Sequence, residues 1–450
     1  MSSWPRFSSF PPAGGSARRR TFLIPLFTFF IFHLSSFHFL GSKYQLHEKY
    51  NVAVQNITSS IKHDGLHLSR FRIYAYTTLT SYTTYQCANK QEQLLIQALD
   101  GFSELPAPPK NISADCAAVL ALYFTASKLV NDPYSLLTIA EKKKDAFAQA
   151  IGSEKFAVSI QYAEQIGDLI LYRAAYDGYD STRTLPRYFA SGTAGSWQPT
   201  PPDMADAVEP YWGMIHPFMQ VNIPDSLLHI PEYSTDSSSA FFQQAKEVYK
   251  GSMQLTEEQK NIANFWDDNP YTVVSSGHFM YGVKKVSPPG HWLDITRIAI
   301  ETKNTSLEKA ALSYCLVSAA MFDAVICCWQ TKYASDVLRP VTYINMYMDE
   351  HWSPYIATPP FPEYTSAHSA TSGAASTVLT SLFGEHFAFT DSLETAFDLP
   401  ARHFSAFSEA AEEAAMSRVY GGIHYPVSAE DGLAQGRYVG KQMARLRSDF

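Results

Sequence analysis

From Lys43 to its C-terminus this 450-residue chain offers helix-length stretches bounded by cap and breaker residues, with no apolar/polar alternation strong enough to argue a sheet. Its core must therefore be built by packing helices. Hydrophobic residues make up 46% of the sequence, ample for a large core or two packed subdomains. The expected fold class is all-α, a helical bundle. Residues 69–88, SRFRIYAYTTLTSYTTYQCA, are aromatic enough to form a buried helix despite their threonines, and two or three more helices fit 113–176. Over residues 177–235 Gly, Pro, Ser and Trp abound and the periodicity fades. That stretch is too long for a simple connector and reads as a surface crossing that shapes a pocket mouth. Helices resume near Ser238, and Thr256 begins a good start signal. We divide the chain into a leader (1–42), an N-terminal helical part (43–255) and a C-terminal helical part (256–450).

Three short segments of the C-terminal part place cations, a hydroxyl and imidazoles at spacings suited to a tetrahedral oxyanion. In KYASDVLRP, Lys332 and Arg339 stand seven residues apart in a stretch that reads as helix from about Leu307. Two turns of helix put both on one face about 10 Å apart. Arg offers a planar fork and Lys a compact charge, and Pro340 marks Arg339 as the helix end. In FPEYTSAHS, a proline-rich stretch leads into a small, apolar helix. Ser366, Ala367 and His368 would then sit at its N-terminus, where free N–H groups and the dipole attract anions. In SRVYGGIH, Arg418 lies in the last turn of a helix, and Gly421-Gly422 folds the chain so that Arg418 and His424 face one point. Each segment alone also fits a blander origin: a solvated cation pair, an N-cap, a capping histidine.

Taken in order, the three segments resemble the signature of the vanadium-dependent haloperoxidases and type 2 phosphatidic acid phosphatases: Lys-x6-Arg-Pro, Pro-Ser-Gly-His, Ser-Arg-x5-His. The first and third parts match completely. The middle part has Thr365 for Pro and Ala367 for Gly; Ala367 keeps its backbone N–H and harms the site only if that position requires positive φ. FWDDNP (265–270), PPGHW (288–292), the helix with Asp323 and Trp329, and upstream SRFRIYAYTTLTSYTTY, TRTLPRY and WQPTPPD extend the resemblance to secreted bacterial haloperoxidase-like proteins, from about Gln55 to the end.

The resemblance implies a helical bundle of the vanadium haloperoxidase and acid phosphatase type, with its oxyanion site in the C-terminal half. It implies a vanadate cofactor whose vanadium is coordinated by His424 and whose oxygens are held by Lys332, Arg339, Ser366, the Ala367 amide and Arg418. His368 would shuttle protons and Lys332 would polarise the peroxide, so the catalytic set is His368, His424 and Lys332. The small-molecule partners would be hydrogen peroxide and a halide, and the product hypohalous acid. The alternative is a phosphatase without vanadate, in which His424 attacks a phosphate monoester, giving a phospho-histidine intermediate, and His368 protonates the leaving group. A catalytically dead binding protein would need a lost cage residue, and none is lost.

Around this set, Asp323 is a candidate partner for a cage cation. The phosphatase branch has an Asp four residues after its second His; here that position is Ser428, leaving Glu430 or Asp431 to substitute. His291 and Trp292 could line the entrance but read as structural first. The formal net charge of -8 argues against nucleic acid as a partner. Among five cysteines, Cys87–Cys116 is the one pair considered for a disulfide; Cys315, Cys327 and Cys328 read as buried thiols. Arg18-Arg19-Arg20 followed by an apolar run to Gly41-Ser42 has the layout of an export signal, and residues 21–42 are long enough to anchor in a bilayer instead. We therefore expect export to the periplasm or outside the cell, with membrane contact only through an uncleaved leader. Self-association is left open.

Overall fold

The longest helix of the C-terminal part, α10, explains most of the architecture, and the other elements are best placed relative to it. The computed structural model describes residues 41–61, 68–102, 104–269, 272–276, 279–283 and 286–449. The leader up to residue 40, and with it the export or anchor segment, lies outside the described residues. The N-terminal helices are α1 (Gly41–Ile61), α2 (Ser69–Ala88), α3 (Ala114–Leu129), α4 (Tyr134–Ile151), α5 (Ser153–Ala175) and the single turn α6 (Tyr179–Thr182). After an irregular stretch come α7 (Ala240–Met253), α8 (Glu257–Phe265), α9 (Pro288–Lys303), α10 (Leu307–Ser335), α11 (Pro340–Tyr347), α12 (Ala367–Phe383), α13 (Phe407–Tyr420) and α14 (Pro426–Arg445).

Helix α10 begins where Ser306 accepts the Lys309 N–H and ends at Asp336, which adopts the left-handed conformation. By length and composition it could cross a bilayer, yet 94% of its most apolar window is buried inside the protein. Its apolarity is that of a core helix: α2, α9, α12 and α14 pack around it. Helix α2 is buried along almost its whole length, as its aromatic content predicts. Helix α8 starts at Thr256 with a capping box to Gln259.

Helices α12 and α14 approach unusually closely because α14 carries Gly432, Gly436 and Gly440 one turn apart on the face turned to α12. A Cβ at Gly432 would sit 2.6 Å from the Ser366 carbonyl oxygen, so only glycine lets α14 pack against the start of α12. This packing fixes where the α12 N-terminus points.

The irregular stretch is held down by named bonds. Arg72 Nε meets Asp177 Oδ2 at 2.7 Å, and Asp323 accepts the Phe218 and Met219 N–H groups at 2.8 and 2.9 Å. The Val208 N–H donates to the Pro360 carbonyl at 2.8 Å, which brings this stretch against the TPPFPE strap.

Two features differ from expectation. The chain forms two antiparallel hairpins, β1 (Thr272–Ser276) with β2 (Phe279–Val283) and β3 (Phe389–Asp391) with β4 (Arg402–Phe404). Strands of five and three residues are too short for alternation to reveal, and the helical fold class stands. Second, all five cysteines are free and buried, so Cys87 and Cys116 are not joined. The Cys87 thiol turns toward Tyr162 of α5 rather than to Cys116, and burial pushes its pKa up to about 11.

Candidate active site

Lys332 and Arg339 do not share a helix face. The left-handed Asp336 stops α10 after Ser335, and Arg339, with φ -74 and ψ 154, is the N-cap of α11. What brings the two cations together is the proline-rich strap, whose carbonyls face them because prolines cannot join a helix. Lys332 Nζ donates to the carbonyls of Pro362 and Glu363, both at 2.9 Å, and Arg339 Nε donates to that of Phe361 at 2.9 Å. The Phe361 ring lies 5.0 Å from Lys332 Nζ and 4.9 Å from the Arg339 guanidinium carbon, close enough for cation–π contact.

His424 follows the Gly421-Gly422 break, where Gly422 has φ 78, a conformation that favours glycine. Its Nδ1 lies 2.8 Å from Glu363 Oε1, which also accepts the Tyr425 N–H at 2.9 Å. Its Nε2 lies 3.1 Å from Arg339 Nη1. A guanidinium can only donate, so Nε2 must present its lone pair and Nδ1 must carry the proton that it gives to Glu363. Burial, reinforced by Arg339, Lys332 and Arg418, drives the imidazole pKa well below its ordinary value. The ring is thus neutral, with an unprotonated Nε2 whose lone pair meets Arg339 and could be given to a metal instead, the form a metal requires.

Ser366 is the N-cap of α12; its hydroxyl accepts the Ser369 N–H at 3.3 Å, leaving its own hydrogen to donate. Ala367 is the first helical residue and is not among the positive-φ positions, so alanine costs no backbone strain there. Its N–H has no acceptor within the helix. His368 Nε2 stands 3.5 Å from Asp268 Oδ2. Burial and the nearby Arg418 lower the His368 pKa.

Behind Asp268 lies a buried relay. His291 Nδ1 meets Asp268 Oδ1 and His291 Nε2 meets Asp391 Oδ2, both at 2.8 Å, while Trp266 stacks on the ring at 4.6 Å. Burial alone would discharge this imidazole, but the two carboxylates hold its pKa well above the ordinary value. In turn His291 outweighs the burial of Asp268 and keeps that carboxyl well below the usual range. Asp268, His291 and Glu394 are near enough to hold a metal ion. His291, held charged between Asp268 and Asp391, carries a proton on each ring nitrogen and has no lone pair to offer a metal, which argues against it.

Arg418, on the last turn of α13, donates Nε to Ser417 Oγ at 3.1 Å. Ala367, His368, Arg418 and His424 line one cavity of about 360 Å³. Lys332, Arg339 and His424 adjoin at its polar end, with Glu363 the carboxylate among them. Burial pushes Lys332 down to about 7 and Arg339 down to about 10, and raises Glu363 to about 7. Arg339 Nη2 and Arg418 Nη2 are buried with no hydrogen-bond partner among the described residues. Buried donors of this kind are costly unless an acceptor meets them. Glu363 beside Lys332 and Arg339, and Asp267 and Asp268 beside Arg418, are the carboxylates near these groups. Two unmet guanidinium donors, a lysine, a helix N-terminus and a ligating imidazole nitrogen fit a tetrahedral oxyanion such as vanadate.

The seven expected site residues therefore gather in one region. The outer partners do not follow expectation. Asp323 pairs with no cage cation; it caps the backbone of residues 218–219, and burial raises it to about 7. Glu430 is exposed and Asp431 binds His229 and Tyr364, so neither substitutes beside His424. His291 and Trp292 are wholly buried and not at the entrance, in keeping with their reading as structural residues first. The residues missed are Glu363 and Asp268. Each lies inside a quoted motif: Glu363 is the one carboxylate of FPEYTSAHS, a signal that could have found it, while Asp268 is one of the adjacent pair Asp267-Asp268 in FWDDNP, which residue type alone does not tell apart.

The family model described as the VCPO second helical-bundle domain matches residues 313–450. Among solved structures, the chain is similar to the first bacterial vanadium-dependent iodoperoxidase, with a TM-score of 0.82 and 36% identity over 89% of this chain and 96% of that one. It is also similar to a bacterial vanadium-dependent chloroperoxidase in holo and apo forms. Those have TM-scores of 0.64 and 0.63 at 16% identity, over 85% and 84% of this chain and 92% and 93% of theirs. At that identity the chloroperoxidases speak for the fold alone. No curated protein matches the chain.

Proposed function

The chain belongs to the vanadium-dependent haloperoxidase family, and on that premise we propose that it oxidises halide, iodide foremost, with hydrogen peroxide on a vanadate held by His424. The overall reaction consumes peroxide, halide and one proton and yields hypohalous acid and water. One observation carries the reading: His424 gives its Nδ1 proton to Glu363 and presents Nε2, beside the unmet nitrogens of Arg339 and Arg418. Iodide is preferred because the 36% identical structure is an iodoperoxidase and iodide is the easiest of the three halides to oxidise.

Bound vanadate would supply a Lewis-acid centre that activates peroxide toward halide without changing its own oxidation state. The protein's groups do the rest. Arg339, Arg418, Lys332, the Ser366 hydroxyl and the Ala367 amide hold the oxyanion oxygens and are in place before reaction, so no reorganisation is needed as charge develops. Glu363 keeps His424 in the ligating tautomer. His368, poised by Asp268, accepts and returns the proton that peroxide binding and product release require. Lys332, held at the cage by the Pro362 and Glu363 carbonyls, would polarise the group held there. The strap and the 177–235 stretch limit water at the site.

The apolar run following Arg18-Arg19-Arg20 supports export, with the leader either cleaved or kept as an anchor. The phosphatase reading uses the same cage, so one experiment addresses both. Purified protein is incubated with and without orthovanadate, and peroxide-dependent iodide and bromide oxidation is measured alongside phosphate-ester hydrolysis. Vanadate-dependent halide oxidation without hydrolysis is expected. Hydrolysis that vanadate inhibits, with no halide oxidation, would reverse the assignment.

A further inference from the structure

The cavity over the cage is much larger than peroxide and halide require. Each of those needs little more than the ~30 Å³ share of a water molecule. The cavity of about 360 Å³ instead lies in the ~300–1,000 Å³ range of pockets that take organic ligands. Its walls are apolar: Leu68 and Phe71 at the start of α2, Val325 and Trp329 from α10, Val208 from the irregular stretch and Phe361 from the strap. Peroxide and halide are well solvated by water and gain nothing from such walls, whereas an aromatic molecule gains from leaving water. Among the described residues, the charged side chains lining the cavity besides the cage are Asp267, whose carboxylate acts on Arg418 and His368, and Asp203, exposed on the side away from them. With Asp267 offset by Arg418, the Asp203 carboxylate disfavours an anionic ligand and favours a neutral or cationic one.

We propose that this cavity binds a neutral or cationic phenol, which is halogenated where it sits, before hypohalous acid escapes to bulk water. This rests on the halide-oxidising reading above. In the step, a ring C–H bond of the phenol breaks and a C–halogen bond forms. The ring proton leaves with the hydroxide of hypohalous acid as water. The ring loses two electrons and the halogen takes them up. Trp329 and Phe361, with ring centroids 5.0 Å apart, form the aromatic wall nearest Lys332 and orient the phenol ring toward the cage.

The test is a competition. Vanadate-loaded full-length protein receives iodide, peroxide and equal amounts of tyramine (cationic) and 4-hydroxyphenylacetate (anionic), and the ratio of iodinated products is compared with that from reagent hypoiodous acid. We expect tyramine to be favoured on the order of ten-fold over the reagent ratio, equivalent to ~1.4 kcal/mol. Asp203→Lys, at an exposed position, should shift the ratio toward the anion. Ala357→Trp, also exposed on the cavity wall, should bring it to the reagent ratio, with iodide oxidation followed in parallel as a check on the cage. A wild-type ratio equal to the reagent's, with iodide oxidation intact, overturns the proposal and leaves the haloperoxidase reading standing. Should iodide oxidation itself be absent, calorimetry of tyramine with the vanadate-loaded protein decides separately. Saturable heat abolished by Ala357→Trp supports the site, and no heat overturns it.

Discussion

Glu363 and His424 meet at 2.8 Å between Oε1 and Nδ1, and this contact decides which nitrogen of the histidine faces the cage. Glu363→Gln keeps the shape but can present its amide nitrogen to Nδ1, which favours the wrong tautomer. Loss of such an outer partner typically costs ~10–100-fold in metal affinity or activity. Vanadate titration of halide oxidation should show that loss, and an unchanged dissociation constant would count against the role given to Glu363.

Asp268 stands between His368 and the buried imidazole of His291. Asp268→Asn should lower turnover by ~10²-fold or more, the lower range for impaired proton transfer, while vanadate still binds. Parallel loss of vanadate binding would mean that Asp268 supports the cage rather than the proton path.

His291 carries charge between two carboxylates in the folded protein. Its folded pKa is raised, so its stabilisation is complete below the unfolded value of ~6.5 and is lost as pH rises through the folded value. Across that window each pH unit removes up to ~1.4 kcal/mol of unfolding free energy, because the native state keeps a proton that the unfolded state has released. Urea unfolding of the wild type at pH 7, 8 and 9 should show this slope relative to His291→Gln. Parallel pH dependence of the two proteins would contradict a charged His291.

Ala367 supplies a backbone donor at a position with ordinary dihedrals. Proline suits the first residue of a helix, and Ser366, at φ -68 and ψ 120, already has the extended conformation that precedes proline. Ala367→Pro should therefore fold normally yet lose a charge-assisted hydrogen bond, about ten-fold or more in oxyanion affinity. Phosphate or vanadate binding by calorimetry, beside a melting curve, reads both. Full affinity would place the anion away from the α12 N-terminus.

Gly432 keeps α14 against the start of α12, where an added Cβ would lie 2.6 Å from the Ser366 oxygen and 3.1 Å from its nitrogen. Gly432→Ala should destabilise by ~1–3 kcal/mol and displace Ser366, lowering activity as well. A variant with wild-type melting and turnover would show that the helices separate without consequence.

Much of this molecule is legible from residue type and spacing. Caps, breakers and helical periodicity place α2, α8, α10 and α12, because those signals are local and act through backbone dihedrals and the nearest hydrogen bonds. The oxyanion-binding residues are readable for a related reason: their chemistry is written in residue identity, and three short motifs carry all seven. The tertiary structure alone decided their relation. Lys332 and Arg339 converge through the carbonyls of an intervening strap, not along one helix, and a lone glutamate in that strap reaches His424. Asp268 and His291 are 23 residues apart in the chain, and Asp391 is a further hundred away. Which carboxylate pairs with which buried base depends on desolvation and packing, and those are set by contacts between segments distant in sequence.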